Sequence, residues 1–219
     1  MSTRPLLLGH RGARRVRGLR ENTIASFDRA LLHGCDGFEF DVRLTADGEA
    51  VLWHDPESNG RLIAESSAKD LPNLARLSDV LARYADNAFL DIELKVADLE
   101  EIICKLIREH PPRRGFVVSS FLPGVLKTLR SRDAECPLGL ICETKAELSH
   151  WPHLPVEYVI PHHELLDAQL AGDLKLNDKK IITWTVNHAA RIEHLTTLGV
   201  DGIIADDTEL LCRNFDPSR

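Results

Sequence analysis

Short apolar runs with the look of strands alternate along the chain with stretches of helical periodicity. The strand-like runs fall at 6–9, 37–43, 88–95, 115–120, 138–141, 158–161, 180–186 and 201–204. Helical patterns follow at 22–33, 77–84, 98–109, 123–131, 145–150, 164–171, 188–198 and 206–212. Strict alternation implies parallel pairing, because parallel neighbours need a crossover and a helix supplies it. Eight units are the number that closes a (β/α)8 TIM barrel, and 219 residues lies near the lower end of that fold's range. A doubly wound sheet fits less well, since the first strand runs into Gly9-His10-Arg11-Gly12 and not into a GxGxxG turn. No stretch has linker composition, so a single domain over residues 1–219 is expected. The polar segment 56–76 breaks the rhythm. It is expected as a short loop insertion after strand 2, acting as a lid or rim on the active face.

Barrel strands are covered on both faces and should be apolar nearly throughout. Two are not. In Gly37-Phe38-Glu39-Phe40-Asp41-Val42-Arg43, side-chain alternation puts Phe38, Phe40 and Val42 on one face and Glu39 and Asp41 on the other. Phe89-Leu90-Asp91-Ile92-Glu93-Leu94-Lys95 repeats the pattern, with Asp91, Glu93 and Lys95 on the polar face. With the apolar faces against the helices, the carboxylates converge inside the barrel, where unpaired charge is very costly. One divalent cation, Mg²⁺ or Ca²⁺, resolves that cost, because hard cations take oxygen ligands. The alternative is a structural ion network with Arg43, Lys95 or Arg11. The carboxylates lie near the C-terminal ends of their strands, where barrel active sites are built.

Two histidines belong to the same rim. His10 follows strand 1, and His54 follows the short run 50–53. Alone, each suits a surface or packed role; beside a metal, the pair suits an acid and a base near neutral pH. Arg11 has the guanidinium geometry for a phosphate, or for pairing with Glu39 or Asp41. Three other sites on the rim carry less. Glu143 follows strand 5, His162-His163 follow strand 6, and Asn187 near strand 7 suits an N-cap as well as a ligand. Asp91 lies one layer below Glu93 and is expected to pair with Lys95.

Composition narrows the classes. Lysine and arginine total 27 against 34 aspartate and glutamate, a net charge of −7 that disfavours nucleic acid as a partner. No apolar run reaches the roughly 18 residues of a membrane span, and the leucine run at 6–8 is too short for a signal peptide. Five cysteines without a CxxC pair point to a reducing, cytoplasmic setting.

The motifs His10-Arg11-Gly12, Glu21-Asn22-Thr23 and Glu39-Phe40-Asp41-Val42 stand in one order with His54-Asp55 and Ile92-Glu93-Leu94-Lys95. Ser119-Ser120-Phe121, Trp184-Thr185-Val186-Asn187 and Gly199-Val200-Asp201-Gly202 continue the series. From residue 10 to about 207 the chain resembles the glycerophosphodiester phosphodiesterases. The resemblance implies a (β/α)8 barrel that hydrolyses small-molecule glycerophosphodiesters to glycerol 3-phosphate and an alcohol with a divalent metal. It implies Glu39, Asp41 and Glu93 as metal ligands, His10 as general base and His54 as general acid. Arg11 and Lys95 become phosphate contacts, and Trp184 an aromatic lining of the substrate pocket. Two departures stand out. Arg20 replaces the family's proline, and the segment after His54-Asp55 is short, with Arg61 as a remnant of the family's Arg and Thr motif. An open, less selective site is the expected consequence. A lyase forming a cyclic phosphate and a silent phosphate-binding barrel are the alternatives. The lyases resemble secreted, disulfide-dependent proteins, and silence would require a lost histidine or carboxylate.

Overall fold

Alternating side chains divide each barrel strand between helices outside and a filled interior, and closure of the sheet depends on where the strands begin. The protein is described here from a computed structural model covering residues 4–216; residues 1–3 and 217–219, the ends of the expected domain, lie outside the described residues. Eight parallel strands are present: β1 (Leu6–His10), β2 (Gly37–Leu44), β3 (Phe89–Leu94), β4 (Phe116–Ser120), β5 (Leu138–Cys142), β6 (Tyr158–Pro161), β7 (Lys180–Thr183) and β8 (Gly202–Ala205). They pair in chain order, and β1 pairs with both β2 and β8, which closes a (β/α)8 TIM barrel. The helices between them are α1 (Ile24–Leu32), α2 (Leu77–Tyr84), α3 (Glu100–Glu109), α4 (Pro123–Arg132), α5 (Lys145–Leu148), α6 (Ala168–Leu176), α7 (Ala189–Thr197) and α8 (Thr208–Arg213).

The outward faces are those the alternation predicts. Phe38, Phe40, Val42, Leu90, Ile92 and Leu94 join the large apolar layer beneath the helices. Phe27 of α1 stacks on Phe38 at 4.1 Å, with Tyr84 of α2 edge-on to both rings. Inside the barrel a second layer of Leu8, Phe89, Val117, Ile160, Ile182 and Ile204 fills the interior. The polar residues of β2 and β3 sit above it. Register between these strands depends on Gly37: a Cβ there would lie 1.8 Å from the Phe89 carbonyl oxygen. Gly37→Ala is expected to cost roughly 3 kcal/mol through forced backbone shifts and to lower the melting temperature by roughly 6–12 °C, read by thermal unfolding. An unchanged melting temperature would show that the two strands adjust freely.

Several boundaries differ from expectation for local reasons. Helix α1 begins at Ile24 instead of residue 22, because Asn22 has φ 55° and Thr23 forms a capping box with Ser26. The helix expected at 164–171 is displaced to Ala168–Leu176, since Asp167 caps it through Leu170 N and a 3-10 turn occupies His163–Leu165. Strand β7 ends at Thr183, after which pairing continues only as a bridge between Trp184 and His162.

Segment 56–76 is not a lid. It follows the short strand Ala50–Leu52, which runs antiparallel to the end of β2, and forms the pair Glu57–Ser58 with Arg61–Leu62 and two 3-10 turns. Val51, Ile63 and Leu71 bury against Trp53 and Leu74 as a small separate core. Asp47 ties it down, accepting from Ser67 Oγ at 2.5 Å and Ala68 N at 2.9 Å. The expected remnant Arg61 is exposed on this outer hairpin, and none of 56–76 lines the cavity described next.

Candidate active site

At the C-terminal end of the strands lies a cavity of about 480 Å³. One side carries His10, Arg11, Glu39, His54, Glu93 and Lys95. Strand pairing brings the carboxylates together, since Asp41 lies beside Glu93 and Glu39 beside Asp91 in register. Oxygens of Glu39, Asp41 and Glu93 all fall within 4.8 Å of one another. All three residues are buried, with Asp41 at 0% exposure.

The electrostatics are strained without a counter-charge. Glu39 is pushed well above the usual carboxylate range by burial and by the charges of Asp41 and Glu93. Burial and Asp41 raise Glu93 to about 7, and burial raises Asp91 to about 7. Burial would also raise Asp41, but Arg11, Lys95 and the Asn22 hydrogen bond outweigh it and hold its carboxyl below the usual value. Four buried carboxylates (Glu39, Asp41, Asp91, Glu93) share the site with two cations, Arg11 and Lys95, and Arg11 is itself shared with Glu21. Buried Glu39 Oε1 and Asp41 Oδ1 have no hydrogen-bond partner. All-oxygen donors, more carboxylates than cations and a buried Glu39 oxygen without a hydrogen bond suit a hard divalent cation, so the acidic group is compatible with such a metal.

The cationic residues serve the carboxylates as well as the cavity. The Arg11 backbone N–H donates to Glu39 Oε2 at 2.9 Å, its Nε lies 3.1 Å from Asp41 Oδ2, and its other end binds Glu21 at 2.8 Å. Lys95 Nζ donates to Glu93 Oε1 at 2.6 Å and lies 3.4 Å from Asp41 Oδ1. Both residues therefore pair with carboxylates and also line the cavity. Asn22 clasps Asp41 twice, donating to its carboxylate at 2.8 Å and accepting from its backbone N–H at 3.2 Å.

His10 stands at the end of β1, its Nδ1 2.7 Å from Asp206 Oδ1 just beyond β8. Burial lowers its pKa and favours the neutral ring. Asp206 would be raised by burial, but His10, Asn187 and Arg14 together hold it well below the usual range. Asn187 is neither N-cap nor cavity ligand: it donates to Asp206 Oδ2 at 2.8 Å and accepts from the Asp206 and Asp207 amides. His54 leaves the Ala50–Leu52 strand with Nδ1 2.8 Å from Asp55. Arg43 fixes it from behind, donating to the His54 carbonyl from Nε at 2.9 Å and from its guanidinium tip at 2.6 Å. In both histidines Nδ1 is bonded to a carboxylate, and His10 Nε2 lies 3.9 Å from Glu39 Oε2.

The facing wall is apolar. Trp184 lines the cavity with its Nε1–H bonded to the Ile160 carbonyl at 3.0 Å, and Phe121 meets it edge-on at 5.7 Å. Glu143 is on this rim as expected, and Glu147 joins it. The expected Asp91–Lys95 pair is absent; Ser119 of β4, which stands in register with Glu93, reaches diagonally down the same face and donates to Asp91 at 2.5 Å, while Lys95 turns to Glu93 and Asp41. The His162 and His163 rings lie 4.6 Å apart, tilted by 30°; neither lines the cavity, but His162 packs at right angles to Trp184 at 5.5 Å. Asp206, Asn22 and Arg43 hold His10, Asp41 and His54 through contacts that the sequence reading does not assign, although Asp206 follows a barrel strand directly, as rim residues do.

The site is a closed (β/α)8 barrel's C-terminal mouth lined by an acidic group and two histidines. Residues 10–112 and 89–210 match the family model described as "Glycerophosphoryl diester phosphodiesterase family". The glycerophosphodiester phosphodiesterase of Caldanaerobacter subterraneus is 30% identical, covering 94% of this chain and 96% of that protein. Among solved structures, a phosphodiesterase of Oleispira antarctica in complex with the product sn-glycerol-3-phosphate superposes with TM-score 0.84 at 23% identity, over 97% of each chain. A glycerophosphodiester phosphodiesterase of Parabacteroides distasonis superposes with TM-score 0.84 at 24% identity over the full length of both. The chain belongs to the glycerophosphoryl diester phosphodiesterase family. No helix among the described residues is long and apolar enough to cross a membrane.

Proposed function

We propose that the protein hydrolyses glycerophosphodiesters to sn-glycerol 3-phosphate and an alcohol, using one divalent cation, Mg²⁺ or Ca²⁺. The observation that carries this reading is the convergence of three buried, mutually repelling carboxylates with two Nδ1-anchored histidines on one cavity. Glu39, Asp41 and Glu93 are assigned as the cation's ligands. A cation held there supplies positive charge to the phosphoryl oxygens as the phosphorus becomes five-coordinate.

The chain's own groups do the rest. Arg11 and Lys95 bind the phosphate oxygens and stabilise the charge that builds on them. Hydrolysis puts an oxygen nucleophile on phosphorus and a proton on the departing alcohol. His10, kept neutral by burial and oriented by Asp206, takes the nucleophile's proton. His54 hands a proton to the alcohol oxygen, and Arg43 holds its backbone in place. Trp184 packs against the organic part of the substrate. The same reading treats 1–219 as one catalytic domain, and the five free cysteines suit a cytoplasmic location.

Coupled release of glycerol 3-phosphate, with and without EDTA, tests the reading; no release from any glycerophosphodiester would overturn it. Because segment 56–76 packs away from the mouth, head groups should be read only weakly. Glycerophosphocholine, glycerophosphoethanolamine and glycerophosphoglycerol are expected to be cleaved with kcat/KM values within about a hundredfold, the span expected where no buried polar group reads the head. A larger spread would place a buried recognition group in another loop.

A further inference from the structure

Away from the cavity, on the face where the strands begin, two cysteines touch. Cys35 lies in the turn between α1 and β2, and Cys212 lies in the last turn of α8. Their sulfurs are 3.6 Å apart, although 177 positions separate them along the chain. A second contact joins the same two segments, since His33 Nδ1 lies 2.8 Å from Thr208 Oγ1. Gly34 turns the chain with φ 100°, and a Cβ placed there would lie 3.8 Å from both the Cβ and the Sγ of Cys212. The two thiols differ in access. Cys35 is buried at 7% exposure beside Ala13 and Ala30, whereas Cys212 is half-buried and opens onto a cleft of about 270 Å³ with Arg4, His33 and Arg213. The other three cysteines are buried. The contact draws the Cys212 thiol below its ordinary value and pushes the Cys35 thiol up, so the accessible sulfur is the one that ionises more readily.

We propose that Cys35 and Cys212 form an oxidative modification site, at which a hydroperoxide closes a disulfide between the α1–β2 turn and α8. An accessible thiol beside a buried one suits two successive steps. The Cys212 thiolate attacks the peroxide, the O–O bond breaks, and Cys212 becomes a sulfenic acid. The departing oxygen takes the thiol's proton and leaves as water or an alcohol. The Cys35 sulfur then displaces the sulfenic hydroxyl, which leaves as water with the Cys35 proton. Two thiols lose two electrons, and the peroxide gains them. Closure brings the sulfurs from 3.6 Å to a bond of about 2.05 Å, a change on the scale of side-chain rotation. Its position gives the bond a consequence. Barrel closure rests on the pairing of β1 with β8, and the disulfide spans that seam, joining the first βα unit to the last. The face where barrel strands begin carries stability and not chemistry, so the bond should stabilise the fold and leave the catalytic mouth alone.

The experiment treats the reduced protein with hydrogen peroxide and maps its peptides without reduction. The peptide holding Cys35 should appear joined to the one holding Cys212, with two hydrogens lost from the intact mass. The melting temperature should rise by roughly 5–15 °C, the shift expected when a disulfide closes a long loop in a chain of this size, and dithiothreitol should reverse it. In Cys35→Ser the reaction should stop at the Cys212 sulfenic acid, which dimedone traps. In Cys212→Ser the buried Cys35 should stay a thiol. Wild-type protein in which Cys212 gains oxygen without linking to Cys35, or in which other cysteines link instead, overturns the site. A linked form that melts no higher than the reduced one overturns the clasp across the seam.

Discussion

Glu93→Ala should lose at least about a thousandfold in divalent-dependent turnover, the several kcal/mol that a cation contributes at a phosphoryl oxygen. Its fold should survive. Glu93 is buried beside Asp41 and pushed up to about 7, so its removal takes away a repelling charge, and Lys95 keeps Asp41 at 3.4 Å. Circular dichroism would verify the fold, and thermal shift with added Mg²⁺ or Ca²⁺ would read cation binding independently of turnover. The wild-type melting temperature should rise with the cation and that of Glu93→Ala should not. Wild-type turnover undiminished after exhaustive chelation would remove the cation from the reaction.

The second large effect separates the two histidines. His54→Ala should lower kcat/KM for glycerophosphocholine by about 10²–10⁴, the range of general acid catalysis, yet leave a nitrophenyl phosphodiester nearly as reactive as before. A nitrophenolate departs without a proton, so the acid is dispensable for it alone. His10→Ala should be inactive on both substrates, because the nucleophile must lose its proton in either case. Wild-type kcat/KM should fall on the acid side as His10, whose pKa burial lowers, gains a proton and ceases to act as a base. Equal losses on the two substrates in His54→Ala would take His54 out of the acid's role.

Much of this site was legible because a strand has a period of two. Glu39 with Asp41, and Glu93 with Lys95, could only share a face, and the apolar alternates left no other face for the helices. What stayed hidden depends on contacts between distant segments. Asp206 meets His10 across 196 positions, and only because β1 closes on β8. Locally it sits just ahead of a helix whose cap is Asp207, so one acidic residue there looks like another. Asn22 belongs to a stretch that reads as the start of α1, yet its positive φ turns it toward Asp41. Arg43 was legible as a charge but not as a clasp, since its partner is the His54 backbone carbonyl and no side chain. Asp91 reads as the partner of the nearer cation in sequence, whereas a diagonal contact across the β3–β4 pair gives it to Ser119.

The small core of Val51, Ile63 and Leu71 has a bearing on how such a barrel can diversify. Segment 56–76 completes its own burial on the outer side of the Ala50–Leu52 strand, while His54 is held by Arg43 from β2. The attachment of the acid and the length of the appendage behind it are thus separate matters. A change of length beyond Asp55 falls on that minor cluster and on the bonds joining it to the strand, Trp53 Nε1 to the Glu57 carbonyl and Leu52 N to the Ala75 carbonyl, while the Arg43 clasp on His54 lies outside it. Growth at this one position offers a lineage a route to enclose the mouth, or to leave it open, without re-solving the catalytic geometry.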